Sequence, residues 1–474
     1  MPPAMLRCTA PPGCCGELAA VGMARFEVPD GWVLQAFSFA VDPLPQQARI
    51  LARQFGGRRY ACNWAVRQLK EGIEAYQCGL AGLDAVPPSF YGLRQRWNQA
   101  KNDECVDKQT GEVWWPEISK EAFADGIRGA VDAYWRWQKS RRGEAGGKRA
   151  GFPRFKRKGR DPDRFTITTG AMRVNPDRRS VTLPKVGTVR TCENTRRLER
   201  LISLGRARIL AVTIRRRGTR VFAIFRVIVS RRARTPGRPG STVGVDVGVR
   251  RLATVGAPDG TIVEVTDNPR ALDRNLAGLR RAGRARSRRK QGSIRYQQAN
   301  REITRLHRRI ADIRTDAISK LTTRLAKTHG TVVVETLSAA GMLQQKGLPG
   351  ARSRRRRLAD AGLAQIRTRL RYKQAWYGCR LIEADRFYPS SQICSKCDLQ
   401  TAIGWAEEWD CPGCGAHHQR DDNAAVNLAR YPDSGWQAVG PVGSRVKRRA
   451  DGKTGPHPAR GDEAPNHNPD RGAA

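Results

Sequence analysis

Two C-x-x-C pairs near the C-terminal end, Cys394/Cys397 in CSKC and Cys411/Cys414 in CPGC, are separated by 13 residues. Four thiolates in this pattern can close a tetrahedral shell around Zn²⁺, and a site filled by four cysteines is structural, not catalytic. The stretch they enclose is too short to build a core of its own, so a metal ion would hold it together. His417 and His418 follow closely, but with four thiols present they read as surface or phosphate contacts. Seven residues after Cys414 comes Asp421, in RDDNAAVNLAR. A metal knuckle running into a carboxylate on a short helix points to metal-dependent cutting of nucleic acid.

Two further acids stand where a solvated acid is not expected. Asp246 interrupts the apolar strand VGVDVG, and Glu335 ends VVVE. Strand-strand-strand, helix, strand, helix, with acids at these points, is the layout of an RNase H-like fold. Carboxylates on rigid elements can hold two Mg²⁺ ions about 3.5–4 Å apart, one activating water and the other stabilising the leaving oxygen of a phosphodiester. Oxygen ligands suit that hard cation. Gly244 and Gly248 let backbone and substrate come close to Asp246. Asp422 competes with Asp421 for the third position, and spacing alone does not choose.

The elements that must carry these groups are legible in outline. WVLQAFSFAV reads as a strand, DPLPQQ as a helix start, and Ile50 to about Tyr76 keeps a helical rhythm. A looser helical zone ends in AVDAYWRWQKSRR, where Tyr134, Trp135 and Trp137 alternate with Arg136, Lys139, Arg141 and Arg142. Such a face can stack bases or pack on neighbouring helices. After a Gly- and Pro-rich boundary come the β-prone runs FTIT, SVTLP, RILAVTIRRR and VFAIFRVIVS, which read as a small β-barrel or half-barrel. The segment from Thr188 to Leu204 is ambiguous. Beyond the linker RRARTPGRPG lies an antiparallel meander, and Pro269 to His329 reads as one long basic helical segment with Ile303, Leu306, Ile310 and Ile313 on one side.

Lys plus Arg number 87 against 44 Asp plus Glu, a formal charge of +43 spread over several segments. That excess calls for a polyanionic partner, and the dominance of Arg suits bidentate phosphate contacts. Arg352, Arg354, Arg355, Arg356 and Arg357 form the densest run, suited to leading a single strand toward the acids; Arg154, Lys156, Arg157, Lys158 and Arg160 form a second. No apolar stretch approaches the roughly 20 residues that span a bilayer, so no membrane partner is expected. The first 25 residues do not read as a signal peptide, which implies a cytoplasmic, nucleoid-associated protein of a prokaryote with reduced cysteines.

Three motifs make the chain resemble the RuvC-type nuclease domain of TnpB-like transposon-encoded proteins and compact type V CRISPR effectors: GVDVGVRRLATV, VVVETLSAAGM and RDDNAAVNLA. LRYKQAWYGCRLIEADRFYPSSQICSKC, DPLPQQARILARQFGGRRYACNWAV and GFPRFKRKGR are also similar to the family, so the resemblance spans roughly residues 30 to 432. It implies an RNA-guided, metal-dependent DNA endonuclease acting with a guide RNA on double- and single-stranded target DNA. Placed on the family's R-D-x-N-A-A pattern, the third acid is Asp421, so that Asp246, Glu335 and Asp421 hold Mg²⁺ and the four cysteines hold Zn²⁺. The implied fold is multidomain α+β: a wedge-like β-barrel with a helical insertion, then an RNase H-like RuvC nuclease domain with an inserted zinc ribbon. The expected divisions are a disordered lead (1–29), a first barrel strand (30–42), a helical recognition insertion (43–150), the barrel (151–236), the nuclease domain (237–389), the ribbon (390–418), the third motif (419–435) and a disordered tail (436–474). Asp398, where the family usually has Gly, is expected to strain the knuckle turn, and Gln419 replaces a frequent Asp. A guided DNA-binding protein that does not cut, or a transposase-associated DNA-binding protein, would share much of this pattern.

Overall fold

The computed structural model describes residues 27–436, apart from 81–88, 145–148, 171, 232–233, 338, 345–350 and 405 and the side chains of 339–340 and 351–352. Nearly all of the expected lead and tail lies outside the described residues.

The N-terminal half is a sheet with helices against it. Its strands are β1 (Trp32–Asp42), β2 (Arg164–Ile167), β3 (Arg173–Val174), β4 (Ser180–Leu183), β5 (Gly187–Thr191), β6 (Ala207–Arg217) and β7 (Arg220–Ser230). Helices α1 (Pro45–Gln77), α2 (Phe90–Glu104) and α3 (Lys120–Arg141) come between β1 and β2, and α4 (Arg196–Ser203) follows β5. Strand order is β2-β6-β7-β1-β5-β4-β3. β1 is long enough to pair with β7 from Trp32 to Val41 and then with β5 at Val41 and Asp42. The expected barrel does not close: the sheet is open, with β2 and β3 at its edges. The outer strand β2 is covered by α3 and α1 instead of by another strand, which shields its edge as pairing would. Phe55, Leu69, Trp97, Phe123, Ile127, Phe165 and Phe225 are among the side chains filling one continuous core between helices and sheet.

The C-terminal half is built on a second sheet: β8 (Arg238–Asp246), β9 (Arg251–Gly256), β10 (Ile262–Asp267), β11 (His329–Glu335) and β12 (Arg380–Ala384), in the order β10-β9-β8-β11-β12. The first three strands are antiparallel, and β11 and β12 run parallel to β8. Helices α5 (Ala271–Ser287), α6 (Ile294–Thr328), α7 (Ala339–Gln344), α8 (Ala351–Ala361) and α9 (Leu363–Tyr377) fill the connections. The single long helix expected over 269–329 is broken. Gly292 takes a left-handed φ of 87°, and Ser293 then caps α6 by accepting from the Tyr296 N–H at 3.2 Å. Leu306, Ile310, Ile318, Leu321 and Leu325 keep the buried side of α6. A small hairpin, β13 (Glu408–Asp410) and β14 (His417–Gln419), leads into α10 (Arg420–Arg430). Among the described residues, no helix is long and apolar enough to cross a membrane.

Candidate active site and metal centre

The apolar register of β8 and β11 carries the first two acids to neighbouring strand ends. Val243 and Val245 point into the core, and Val332 and Val334 do the same one strand over. Val245 pairs with Val334, so Asp246 and Glu335 leave their strands side by side. Helix α10 lies across β8 and β9 at close range. A Cβ on Gly244 would stand 2.1 Å from the Ala425 carbonyl oxygen and 2.2 Å from the Ala429 nitrogen. This glycine therefore admits the helix backbone rather than a substrate. Gly248 likewise faces the Arg251 carbonyl at 2.9 Å, with Asp421 Oδ2 at 3.9 Å.

The sheet and α10 thus bring together three acids that are about 90 and 175 residues from one another along the chain. All three are part-buried and keep an open side. Burial, then the charges of Glu335 and Asp421, push Asp246 well above the usual carboxylate range. Its carboxyl shares a hydrogen bond with Glu335. Glu335 is raised to about 7 by burial and by Asp421, against the opposing pull of the Val247 N–H and of Asp246. Asp421 is raised by burial and by Asp422, while Arg251 and Arg420 oppose the shift. The ionised forms of these acids disfavour one another, a repulsion that a cation between them would relieve, although among the described residues only the four cysteines have ligand atoms all within 4.8 Å of one another.

Asp421 and Asp422 have different surroundings. Asp422 accepts from Arg251 Nη1 at 2.6 Å, whereas Asp421 is the one that acts electrostatically on Asp246 and Glu335. Gln419, which stands where the family often has Asp, caps α10 by accepting from the Asp422 N–H at 2.9 Å. An amide does this as well as a carboxylate, without adding a fourth charge beside the acids. Arg251 lies in the first motif and Arg420 opens the R-D-x-N-A-A pattern, but nothing in the sequence assigned either a role beside the acids.

The four cysteine sulfurs lie within 4.8 Å of one another, with Cys394–Cys414 at 3.7 Å and Cys397–Cys411 at 3.5 Å. Sulfurs around tetrahedral zinc, at about 2.3 Å from the metal, would be about 3.8 Å apart, so this donor set fits the ion. The thiols shift against one another. Burial acts to raise Cys411, yet the N–H groups of Cys414 and Gly413 and its neighbouring thiols draw it down to about 7. Cys394 is pushed up by burial, and Cys397 goes up to about 12. Asp398 adopts a left-handed φ of 60°, the conformation that the usual glycine takes freely and that Asp tolerates better than most other residues. His418 corrects the expectation of a surface residue. It is buried, ring to ring with Trp409 at 4.8 Å, and its Nε2 lies 3.0 Å from Cys394 Sγ. The apolar patch it completes is the ribbon's small core. His417 is exposed and contacts Asp410 Oδ1 at 2.8 Å.

Ribbon and acid site share one helix. Asn423 donates to the Ile393 carbonyl at 2.7 Å and accepts from the Ser395 N–H at 2.9 Å. Asn427 donates to the Ser390 and Ile393 carbonyls at 2.8 and 2.6 Å. These positions, with Arg430, form a stripe along α10 next to the alanines packed on β8. Asn423 is the Asn of the R-D-x-N-A-A pattern, but the sequence did not indicate its attachment to the ribbon, nor single out Asn427 or Arg430.

The basic runs divide. Asp161, buried, accepts from Arg154 Nη2 and from the Arg157 N–H, both at 2.8 Å, and Lys156 Nζ lies 3.7 Å away. Asn63 of α1 fixes the loop from the other side through both backbone polar groups of Lys156. Arg154, Arg157, Lys158 and Arg160 are exposed on it beside Phe155, itself 50% exposed. The second run lies on α8. Arg356 and Arg357 reach Asp273 of α5 at 3.2 and 4.0 Å, and Arg354 and Arg355 have protein partners as well. The side chain of Arg352 lies outside the described residues. Of the aromatics near 135, Tyr134 is in the core, with Trp135 and Trp137 packed against it.

The fold and these two clusters define a mixed α/β chain in which an acid site and a thiol site meet on one helix. Residues 225–346 match a family described as probable transposase, and residues 364–428 match the Cas12f1-like TNB domain. Residues 33–78 match a family described as a helix-turn-helix domain, although here that segment is strand β1 followed by the continuous helix α1. A protein of Mycobacterium tuberculosis is 59% identical over 443 residues, covering 93% of this chain and 96% of its own. One of Streptomyces pristinaespiralis is 30% identical, covering 84% and 89%. InsQ of Escherichia coli is 30% identical, covering 77% and 83%. All three carry the name "Putative RNA-guided DNA endonuclease". The solved complex of Cas12f1 with sgRNA and target DNA aligns with 84% of this chain and 99% of its own at 14% identity, with a TM-score of 0.44. The chain belongs to the TnpB-like family of compact RNA-guided endonucleases.

Proposed function

We propose that this protein cleaves DNA at sites chosen by a guide RNA, using Asp246, Glu335 and Asp421 as the metal-holding acids of an RNase H-like RuvC site. The observation that carries the reading is the raised, mutually repelling trio at the ends of β8 and β11 and the start of α10. The strand order β10-β9-β8-β11-β12, with only the first three strands antiparallel, supports the RNase H-like assignment. Two Mg²⁺ ions held by these carboxylates would supply an activated water and charge neutralisation at the phosphodiester. The chain's own groups prepare that site. The Val247 N–H orients Glu335, and Arg251 keeps Asp422 turned aside. Zn²⁺ on Cys394, Cys397, Cys411 and Cys414 holds the ribbon against α10.

In this reading pairing with the guide supplies sequence selection, and the protein supplies phosphate contacts. The exposed cations around Phe155 suit a strand whose bases stack on that ring, with Arg354 to Arg357 on α8 as a second contact. Double-stranded target and displaced single strand would both be bound. The working divisions are 30–42 with 151–236 as the wedge, 43–150 as its helical insertion, and 237–435 as the nuclease with its ribbon at 390–418.

Protein purified with its copurifying RNA tests the reading. Wild type should cut a matched duplex in Mg²⁺. Asp246→Ala should cut at least about 10³-fold more slowly, from the loss of several kcal/mol of charge stabilisation, and still bind RNA and DNA. Cutting by Asp246→Ala at the wild-type rate would remove the acid assignment. Binding without any cutting by wild type would favour a guided DNA-binding protein.

A further inference from the structure

A cavity of about 740 Å³ opens on the N-terminal half, beside α4 and the end of β7, away from both the acids and the cysteines. Six guanidinium groups line it: Arg196, Arg197, Arg200, Arg206, Arg231 and Arg234. Among the described residues, none of the six is paired with a carboxylate. The acid on α4 itself, Glu199, is engaged by Arg178 at 3.0 Å.

Arg231 is the most constrained member. Its Nη2 donates to Gln35 Oε1 at 2.6 Å, its guanidinium lies 5.2 Å from the centre of the Trp376 ring, and its buried Nε has no partner. Burial, and then the charges of Arg197, Arg234 and Arg206, depress its pKa. Like charges crowded around a cavity with an orphaned donor are costly unless an anion enters. Guanidinium forks match phosphate oxygens bidentately, and several in one cavity match several phosphates. No aromatic ring and a single amide, Asn194, line the space, so its donors are almost all guanidinium groups, which suit phosphate oxygens. α4 also lies outside all three segments that match family models.

We infer that this cavity clamps the phosphodiester backbone of a nucleic-acid strand bound by the protein, a site distinct from the loop at 154–160 and from α8. The inference rests on the nucleic-acid reading proposed above. The strand belongs to the guide RNA or to the DNA target, and the same chemistry serves either.

The test uses the full chain without added Mg²⁺, so that no cutting occurs. Affinity for a 30-nucleotide single-stranded RNA and for a 30-base-pair DNA duplex is measured between about 50 and 300 mM KCl, the range over which counterion release is read. The exposed positions are changed together, as Arg196→Gln/Arg200→Gln/Arg206→Gln, with Arg→Lys at the same three as a control that keeps charge. At about 0.7 per phosphate contact on a single strand and 0.9 on a duplex, the log–log salt slope should fall by about 2 for RNA, or by nearly 3 for DNA. The lysine version should keep most of the wild-type slope. The probe whose slope falls identifies the strand. Unchanged slopes for both probes in a Gln variant that melts like wild type overturn the inference. If the Gln variant does not fold, equal loss of slope in the folded lysine version overturns it too. Failure of the wild type to bind either probe would instead overturn the nucleic-acid reading itself.

Discussion

Glu335 shows how the acid site sets itself against the stability of the protein that holds it. Its carboxyl is raised from the ordinary 4.5 to about 7. The folded state therefore holds a proton that the unfolded state releases between those values. The stability this contributes is fully present below the lower value and is lost as pH rises through the higher one. Without divalent cations, Glu335→Gln should consequently melt a few degrees above wild type at pH 8, with the gap closing at pH 5. Adding Mg²⁺ at pH 8 should raise the wild type more than the variant. Thermal melts at the two pH values decide this, and a variant melting below wild type at pH 8 would mean that the three charges do not repel as described. The residue types alone named these acids, because an Asp inside VGVDVG and a Glu ending VVVE break apolar runs. Their mutual effect on ionisation depends on side-by-side strand ends, which no local pattern contains.

At the scale of elements, α10 is the part on which the site depends. One side of it carries alanines against β8 and β9, the next carries Asn423 and Asn427 into the ribbon, and its first turn offers Asp421. Gly244 sets the distance. Gly244→Ala would place a methyl group against the backbone of residues 425–429. It should cost about 1–3 kcal/mol from overpacking and lower cleavage far more than it lowers RNA binding, since it displaces Asp421 and leaves the N-terminal half untouched. Chemical denaturation together with a cleavage assay checks both parts, and unchanged cleavage would show that α10 can move without harm. The helix itself was legible from RDDNAAVNLAR. Its double attachment was not, since alanine and asparagine give no partner until a sheet and a ribbon stand on either side. The break at Gly292 was missed for a related reason. A periodic apolar side continues through α6, and periodicity does not register one turn of non-helical backbone.

Across the whole molecule, the thiol cluster and the acid site are expected to fail together. Chelation that strips zinc should loosen the ribbon, free the stripe of Asn423, Asn427 and Arg430, and release the first turn of α10. Protein treated in this way and returned to Mg²⁺ alone should stay nearly inactive, and Zn²⁺ with Mg²⁺ should restore cutting. Full recovery with Mg²⁺ alone would show that the ribbon does not position Asp421. The N-terminal sheet is the counterpart at this scale. Strands β1, β2, β4, β6 and β7 were read from β-prone runs, whereas β3 was not and β5 falls largely in the segment left ambiguous. The long reach of β1 and the covering of β2 by α3 and α1 leave the sheet open where closure was expected.

Local chemistry is written along the chain. Thiol spacing, acids in apolar strands, turn residues and an excess of 43 positive charges each act over a few residues or over none in particular, and by themselves they yielded the chemical groups, the kind of partner and most of the elements. Contacts between distant residues arise only when sheets and helices pack. The packed structure alone set Arg251 against Asp422, buried His418 behind a cysteine, left the first sheet open, and gathered six arginines around one cavity.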